Sequence, residues 1–498
     1  MEPVSRRTAA VVVGIGALGA AGGIAAVTGA LRPLSPGRRT TGSASAGRPG
    51  GPLREPTVLR SEGGILEVRL EAARGSHPLA GRSATTLAYN GAIPGPTLRL
   101  RAGDLLRVEL VNSFDETTNL HVHGLHVSPG GNADNVFVAV EPGSSFSYEY
   151  QLPKDHPSGT YWYHPHHHGM VADQLFAGLY GAIVVEEPEP LPVARERLLV
   201  VSDITLDAAG GVAAVSMRDR MTGREGELLL VDGQVTPTLR ARPGEREHWR
   251  VVNTCSSRFL SLRMSGMPLV ILRRDSGRLA TPTEAPEVFL APGNRVDLVV
   301  TAGQDGGVLR ALPVDRGSMS GAMMGNRPAS GSTEPVDLLV LEVAGPPVDD
   351  LPALPRPPAP RDLSADDVAR ERVLTLAMGM GMGMGGGPGR GMSLTIDGRE
   401  FDHERVDQHV ELGTVEAWRI VNTSSMDHPF HLHVWPMQVL RQGGRAVETP
   451  TWLDVVNVPA FGEVDVRIAF EDFGGRTVYH CHVLDHEDLG MMGVIEAR

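Results

Sequence analysis

Pro96-Thr97-Leu98-Arg99-Leu100-Arg101-Ala102-Gly103 recurs with little change as Pro237-Thr238-Leu239-Arg240-Ala241-Arg242-Pro243-Gly244. An asparagine follows each glycine at an interval of nine, Asn112 after Gly103 and Asn253 after Gly244, and the segment from Gly413 to Asn422 keeps the same interval. Between glycine and asparagine, apolar and polar residues alternate: Leu106, Val108 and Leu110 in the first copy, Trp249 and Val251 in the second, Val415 and Ala417 in the third. That is the period of a strand with one buried face. A repeat of this length means repeated structural units, so the chain is read as three related β-rich domains at 55–190, 191–348 and 362–498. A Pro-rich linker at 349–361 joins the last two.

Composition agrees with many short strands. Gly (60) and Pro (38) together make about a fifth of the 498 residues, and 41% hydrophobic residues exclude a wholly disordered chain. The length fits about three domains. Lys and Arg number 46 against 59 Asp and Glu, a net charge of -13 with the arginines scattered among acids, which excludes nucleic acid as a partner. The only cysteines, Cys255 and Cys481, exclude a disulfide framework. At the start, Ser5-Arg6-Arg7 precedes an uncharged run rich in Ala, Gly and Val from Thr8 to Leu31. This pattern predicts a twin-arginine export signal, hence the cell envelope, periplasm or exterior. Residues 32–54 read as a flexible tether containing a small-residue cleavage site, Ala44-Ser45-Ala46. Left uncleaved, the run is just long enough to anchor the chain in a membrane.

The repeat also aligns chemistry. His121 stands nine residues beyond Asn112 and His431 nine beyond Asn422, each followed two residues later by another histidine, His123 and His433. The middle copy has Leu262 and Met264 in these places, so its site is expected to be absent. Tyr163-His164-Pro165-His166 corresponds to Tyr479-His480-Cys481-His482. Of the 18 histidines, 14 lie within 121–168 and 428–486. Residues i and i+2 of a strand share a face, so four His-x-His pairs aim eight imidazoles at one space between the first and third domains. Such a set suits a polynuclear metal centre of Cu, Zn, Fe or Ni.

His428, Cys481, His486 and Met491 narrow the choice. Cys481 points away from its two histidine neighbours, into the interior of the third domain. Two histidines, a cysteine and a weak axial methionine are the donor set of a blue-copper electron-transfer site, whereas zinc prefers a closed Cys/His tetrahedron without thioether. An electron accepted there has a short covalent path through Cys481 to both flanking histidines.

With His121-Val122-His123-Gly124, His164-Pro165-His166, His428-Pro429-Phe430-His431-Leu432-His433 and His480-Cys481-His482 followed by His486 and Met491, the sequence resembles the multicopper oxidases: laccases, copper-efflux oxidases and ascorbate oxidases. The match runs over nearly all of the chain after residue 55. The resemblance implies an all-β protein of three cupredoxin-like Greek-key β-sandwich or barrel domains, with four copper ions per chain. Type 1 copper would sit at His428, Cys481, His486 and Met491, and type 2 copper at His121 and His431. The type 3 pair would be held by His123, His164 and His482 and by His166, His433 and His480. It also implies four-electron reduction of dioxygen to water, driven by a small phenolic or aromatic reductant or by a metal ion such as Cu(I). Glu487 and Asp134 resemble the family's acids for proton delivery.

Other residues are set aside. His126, His156, His167 and His168 fall off the paired spacing, and Cys255 reads as a buried small hydrophobe. Met380, Met382 and Met384, with Met319, Met323 and Met324, are either soft Cu(I) donors or incidental composition of Gly-rich loops. The substrate pocket is expected around an exposed edge of His428. A dedicated cuprous oxidase for copper tolerance is the nearest alternative activity. From another class, a copper-binding or copper-free cupredoxin scaffold of the cell envelope is opposed by the complete ligand set, and a two-domain nitrite reductase by the third domain.

Overall fold

The computed structural model describes residues 50–318, 333–349, 351–380 and 392–498. Residues 1–49, where the export signal is expected, and the methionines at 319, 323, 324, 382 and 384 lie outside the described residues, as does the side chain of Met380.

Strands dominate, as expected, and among the described residues form six sheets in three pairs. In the first domain a five-stranded sheet runs Val58–Arg60, Thr97–Leu100, Gly181–Val185, Gly159–His164, His121–His123, and faces a four-stranded sheet, Arg82–Tyr89, Ile65–Leu79, Leu105–Ser113, Ser145–Gln151. The middle and last domains each pair a six-stranded with a five-stranded sheet, and their strand orders correspond position by position. The sheet pairs span 58–185, 195–343 and 370–497, and each encloses its own apolar core.

The repeated glycine and asparagine have fixed tasks. Gly103, Gly244 and Gly413 have φ of 87°, 80° and 78° at the turn into the strand, a region that favours glycine. Asn112, Asn253 and Asn422 are buried at the strand ends. Each side-chain amide donates to two carbonyls, Glu116 and Val140, Arg258 and Leu290, Met426 and Val458 respectively. Each side-chain oxygen accepts the N–H two residues on, at Phe114, Cys255 and Ser424. The asparagine thus satisfies loop groups that have no ladder partner.

Two expectations about these strands fail. In the third copy, Thr414–Asn422, the buried face carries Glu416, Trp418 and Ile420, while Val415 and Ala417 are only half-buried. Arg246–Asn253 of the middle copy is buried on both faces, not one. Its outer face meets the first domain, where Arg250 donates to Thr160 (3.2 Å) while also donating to Asp297 of its own domain (2.9 Å). Buried charges are tolerated there because they are paired.

Among the described residues three short helices complete the frame: α1 (Val171–Phe176), α2 (Met217–Thr222) and α3 (Leu484–Asp488). Asp488 on α3 accepts the N–H groups of Gly169, Val171 and Ala172 at the start of α1. Arg224, just beyond α2, donates to Asp485 on α3 (2.5 Å) and to Asp173 on α1 (2.5 Å). Helix α3, which carries His486, is therefore held by all three domains.

Candidate metal centres

Two pairs of strands carry six of the ten predicted ligating histidines. His121–His123 pairs antiparallel with Gly159–His164, setting His121 opposite His164. His428–Leu432 pairs with Gly475–Cys481, setting His431 opposite His480 and Phe430 opposite Cys481. Across the seam between the domains, His121 stacks on His433 at 3.9 Å and His123 on His431 at 4.0 Å. All eight predicted imidazoles converge and are buried. Their ring nitrogens form the groups His123, His164 and His482; His166, His433 and His480; and His121, His123 and His431.

Many ring nitrogens of these groups have no protein partner: Nε2 of His121, His164 and His431, Nδ1 of His123 and His433, and both nitrogens of His482. The Nε2 atoms of His166 and His433 lie 3.1 and 3.2 Å from Nε2 of His480. Buried polar atoms without partners are expensive, and so many gathered together require a common partner. Burial holds these histidines below their usual pKa, at about 3 for His164 and about 4 for His431. Neutral rings with inward lone pairs are what a metal requires.

Cys481 sits in the third domain's core beside Met491, Phe430 and Val483. Its Sγ is 3.3 Å from Nδ1 of His428 and 3.8 Å from Nδ1 of His486. The outer nitrogens are engaged elsewhere, His428 Nε2 with Ser424 Oγ (2.7 Å) and His486 Nε2 with the carbonyl of Met221 on α2 (3.1 Å). Both Nδ1 atoms are thereby turned toward the sulfur. Burial raises the Cys481 thiol well above its usual range, so a thiolate here needs a cation bonded to it. Met492, the only competitor for the axial position, packs in a separate cluster with Val136 and Val478.

One feature differs from expectation. His428 has no exposed edge: it is fully buried and closed off by Ser424. His486 lies on α3. One turn of helix sends His486 toward Cys481 and Glu487 toward the histidine cluster, with Oε2 3.1 Å from His480 Nδ1 and Oε1 3.6 Å from His166 Nδ1. Burial raises the Glu487 carboxyl far above its usual value. Asp134 places both oxygens 3.0 Å from His121 Nδ1 and accepts the Val122 N–H at 3.1 Å; burial pushes its pKa up to about 8.

The residues set aside stay outside the cluster. His126 bonds the Val434 carbonyl and Asp472, and His156 accepts the His126 N–H. Cys255, Leu262 and Met264 pack in the middle core, and among the described residues that domain holds no group of ligating atoms. Sequence reasoning missed Ser424, Met221, Asp454 and Arg295. Asp454 lies 3.0 Å from His123 Nε2 and is paired with Arg295.

A buried Cys/His₂ site, joined through one cysteine to an eight-histidine cluster between sandwich domains, defines a multicopper oxidase. Family models described as multicopper oxidase match residues 72–190, 162–308 and 375–498. The chain is 27% identical over 427 residues to a multicopper oxidase of Staphylococcus haemolyticus, covering 82% of this chain and 83% of that one. Among solved structures, a Campylobacter jejuni multicopper oxidase described as a metallo-oxidase aligns with TM-score 0.78 and 29% identity, covering 90% of this chain and 96% of the other. A laccase-like multicopper oxidase from Ochrobactrum aligns with TM-score 0.75 and 25% identity, over 90% of this chain and 100% of the other. The chain belongs to the multicopper oxidase family. It is a copper-binding oxidoreductase that couples one-electron oxidation of its substrate to reduction of dioxygen to water.

Proposed function

We propose that the chain holds four copper ions: a type 1 ion at His428, Cys481, His486 and Met491, a type 2 ion at His121 and His431, and a type 3 pair at His123, His164 and His482 and at His166, His433 and His480. Bound there, copper supplies one-electron redox chemistry and a place for dioxygen. The protein keeps the imidazoles neutral, fixes which nitrogen faces inward, and excludes water. Reducing dioxygen to two waters consumes four protons, so a relay into the buried site is required. Glu487 and Asp134 are the proposed carriers, being buried acids in contact with His480 and His121. The observation that carries this reading is the alternation in His480-Cys481-His482, whose sulfur faces one donor set while its neighbouring imidazoles face the other.

The reductant is proposed to be a phenolic or a metal ion. Names of the relatives support each: the Campylobacter jejuni protein is called a metallo-oxidase, and the Ochrobactrum enzyme is credited with oxidase activity towards lignin model compounds. Burial of both type 1 imidazoles, with their outer nitrogens closed by Ser424 and Met221, favours Cu(I) over a bulky aromatic that must touch a ring edge. Thus a dedicated cuprous oxidase is the second reading. Ser5-Arg6-Arg7 and its apolar run support export of the folded protein to the cell envelope, periplasm or exterior. Oxygen uptake with Cu(I) and with a simple phenol, on one copper-loaded preparation, tests the substrate assignment. Uptake with Cu(I) alone selects the cuprous reading, comparable uptake with both supports a broad oxidase, and uptake with neither overturns the proposal.

A further inference from the structure

The middle domain has no ligating group among its described residues, yet it sends a charge to the edge of the histidine cluster. Arg295 opens the strand Arg295–Thr301 and is 1% exposed. Its Nη1 and Nη2 lie 2.5 and 2.6 Å from the two oxygens of Asp454, in the third domain. Its Nε donates to the carbonyl of Thr160, in the first domain (3.0 Å), and its own N–H is accepted by Asp275 (2.9 Å). Nη1 also donates to the carbonyl of Gly293 in its own domain (3.3 Å), so nearly every donor of this guanidinium is used, by groups from all three domains.

Asp454 in turn touches two cluster imidazoles. Its Oδ1 is 3.0 Å from His123 Nε2, and its backbone oxygen is 2.7 Å from His431 Nδ1. Carboxylate and carbonyl oxygens only accept, so both histidine nitrogens must carry the proton. The lone pairs are then on Nδ1 of His123 and Nε2 of His431, the atoms that lack any protein partner. One residue therefore imposes opposite tautomers on two rings that stack at 4.0 Å with only 7° between their planes. Gly124 is part of the same fit. A methyl group there would stand 2.4 Å from Arg295 Nη2 and 2.8 Å from Asp454 Oδ2, at a φ of +82°.

A buried ion pair is weak support for folding, because apolar residues of the same volume serve as well or better. Its use here is to aim. Resting on the copper-cluster reading above, the geometry points to Arg295 and Asp454 as positioning residues: Asp454 fixes the metal-facing nitrogens of His123 and His431, and Arg295 fixes Asp454. The middle domain, with no ligating group among its described residues, sets the geometry of copper held by its neighbours. Partners of this kind typically govern metal affinity by about 10 to 100-fold.

The test is a chelator titration of copper-loaded wild type and the variants Asp454→Asn, Arg295→Met and Arg295→Lys, counting coppers retained and recording the blue thiolate-to-copper absorption on the same samples. The side-chain amide introduced by Asp454→Asn would leave one acceptor for two demands. Asp454→Asn and Arg295→Met are expected to release cluster copper at about 10 to 100-fold lower chelator than wild type, while the blue absorption persists to the wild-type concentration. Arg295→Lys, which keeps the charge but loses the fork, falls between; it carries the test if the other two do not fold. Cluster copper held as tightly as in wild type overturns the inference, and so does parallel loss of both signals, which marks general loosening. Wild type with a blue site but no cluster copper overturns instead the reading on which the inference rests.

Discussion

Glu487 sets its Oε2 3.1 Å from Nδ1 of His480 without the alignment of a hydrogen bond, and neither of its buried oxygens has a hydrogen-bond partner. Its neighbour His486 faces the opposite way, toward Cys481. A carboxyl group kept in an apolar place beside the cluster, and not committed to any donor, is suited to carry a proton.

Glu487→Gln keeps the volume and removes the transferable proton. Oxygen consumption should fall by about 100 to 10,000-fold, the range associated with general acid catalysis, while substrate still bleaches the blue band anaerobically and copper content stays at the wild-type level. Steady-state uptake and anaerobic bleaching on one sample check this. Unchanged turnover, or copper lost along with turnover, removes the proton-carrying role.

His126 clasps the first domain to the third by donating Nδ1 to the Val434 carbonyl (2.9 Å) and Nε2 to Asp472 (3.0 Å). Both bonds are made only by the imidazolium, and these partners raise its pKa despite burial. The stabilisation should be fully present below the unfolded value near about 6.5 and lost as pH rises through the higher folded value. His126→Ala should therefore lower the melting temperature more at pH 5.5 than at pH 9, by an amount equivalent to about 1 to 3 kcal/mol at the lower pH. Thermal melts at both pH values decide it; an equal drop at both sinks the clasp.

His248 lies in the middle domain between Glu196 (3.3 Å) and Asp297 (3.5 Å), and not near any other ligating histidine. His248→Gln should leave copper stoichiometry unchanged and lower stability by about 1 to 3 kcal/mol, the effect of unsatisfied buried partners. Metal analysis beside a denaturant titration tests both halves. Loss of a copper would make the middle domain a ligand donor.

How much of this was legible in the sequence follows from the distance over which each signal acts. The repeat was readable because glycine and asparagine do local backbone jobs at fixed spacing, and the histidine pairs because i and i+2 share a strand face. Cys481 was readable because its orientation follows from its neighbours. Asp454 left no such trace: it meets His123 across 331 residues and Arg295 across 159. A backbone carbonyl such as that of Met221 has no side-chain signature at all. The exposed edge expected at His428 failed because Ser424, four residues earlier, folds back onto it. The inner face of a strand can be read from alternation, but a second buried face, as at Arg250, depends on another domain.

The central claim is that Cys481 holds a copper ion electronically continuous with the histidine cluster, and Cys481→Ser tests it most directly. Optical and paramagnetic spectra would be recorded with copper counts on copper-loaded wild type and variant. The account predicts that wild type is blue with about four coppers per chain, the number set by its donor groups. The variant should lose the blue band and one copper, keep the cluster coppers, and no longer consume oxygen with any reductant. A variant that stays blue, or that turns over oxygen at the wild-type rate, would contradict the account.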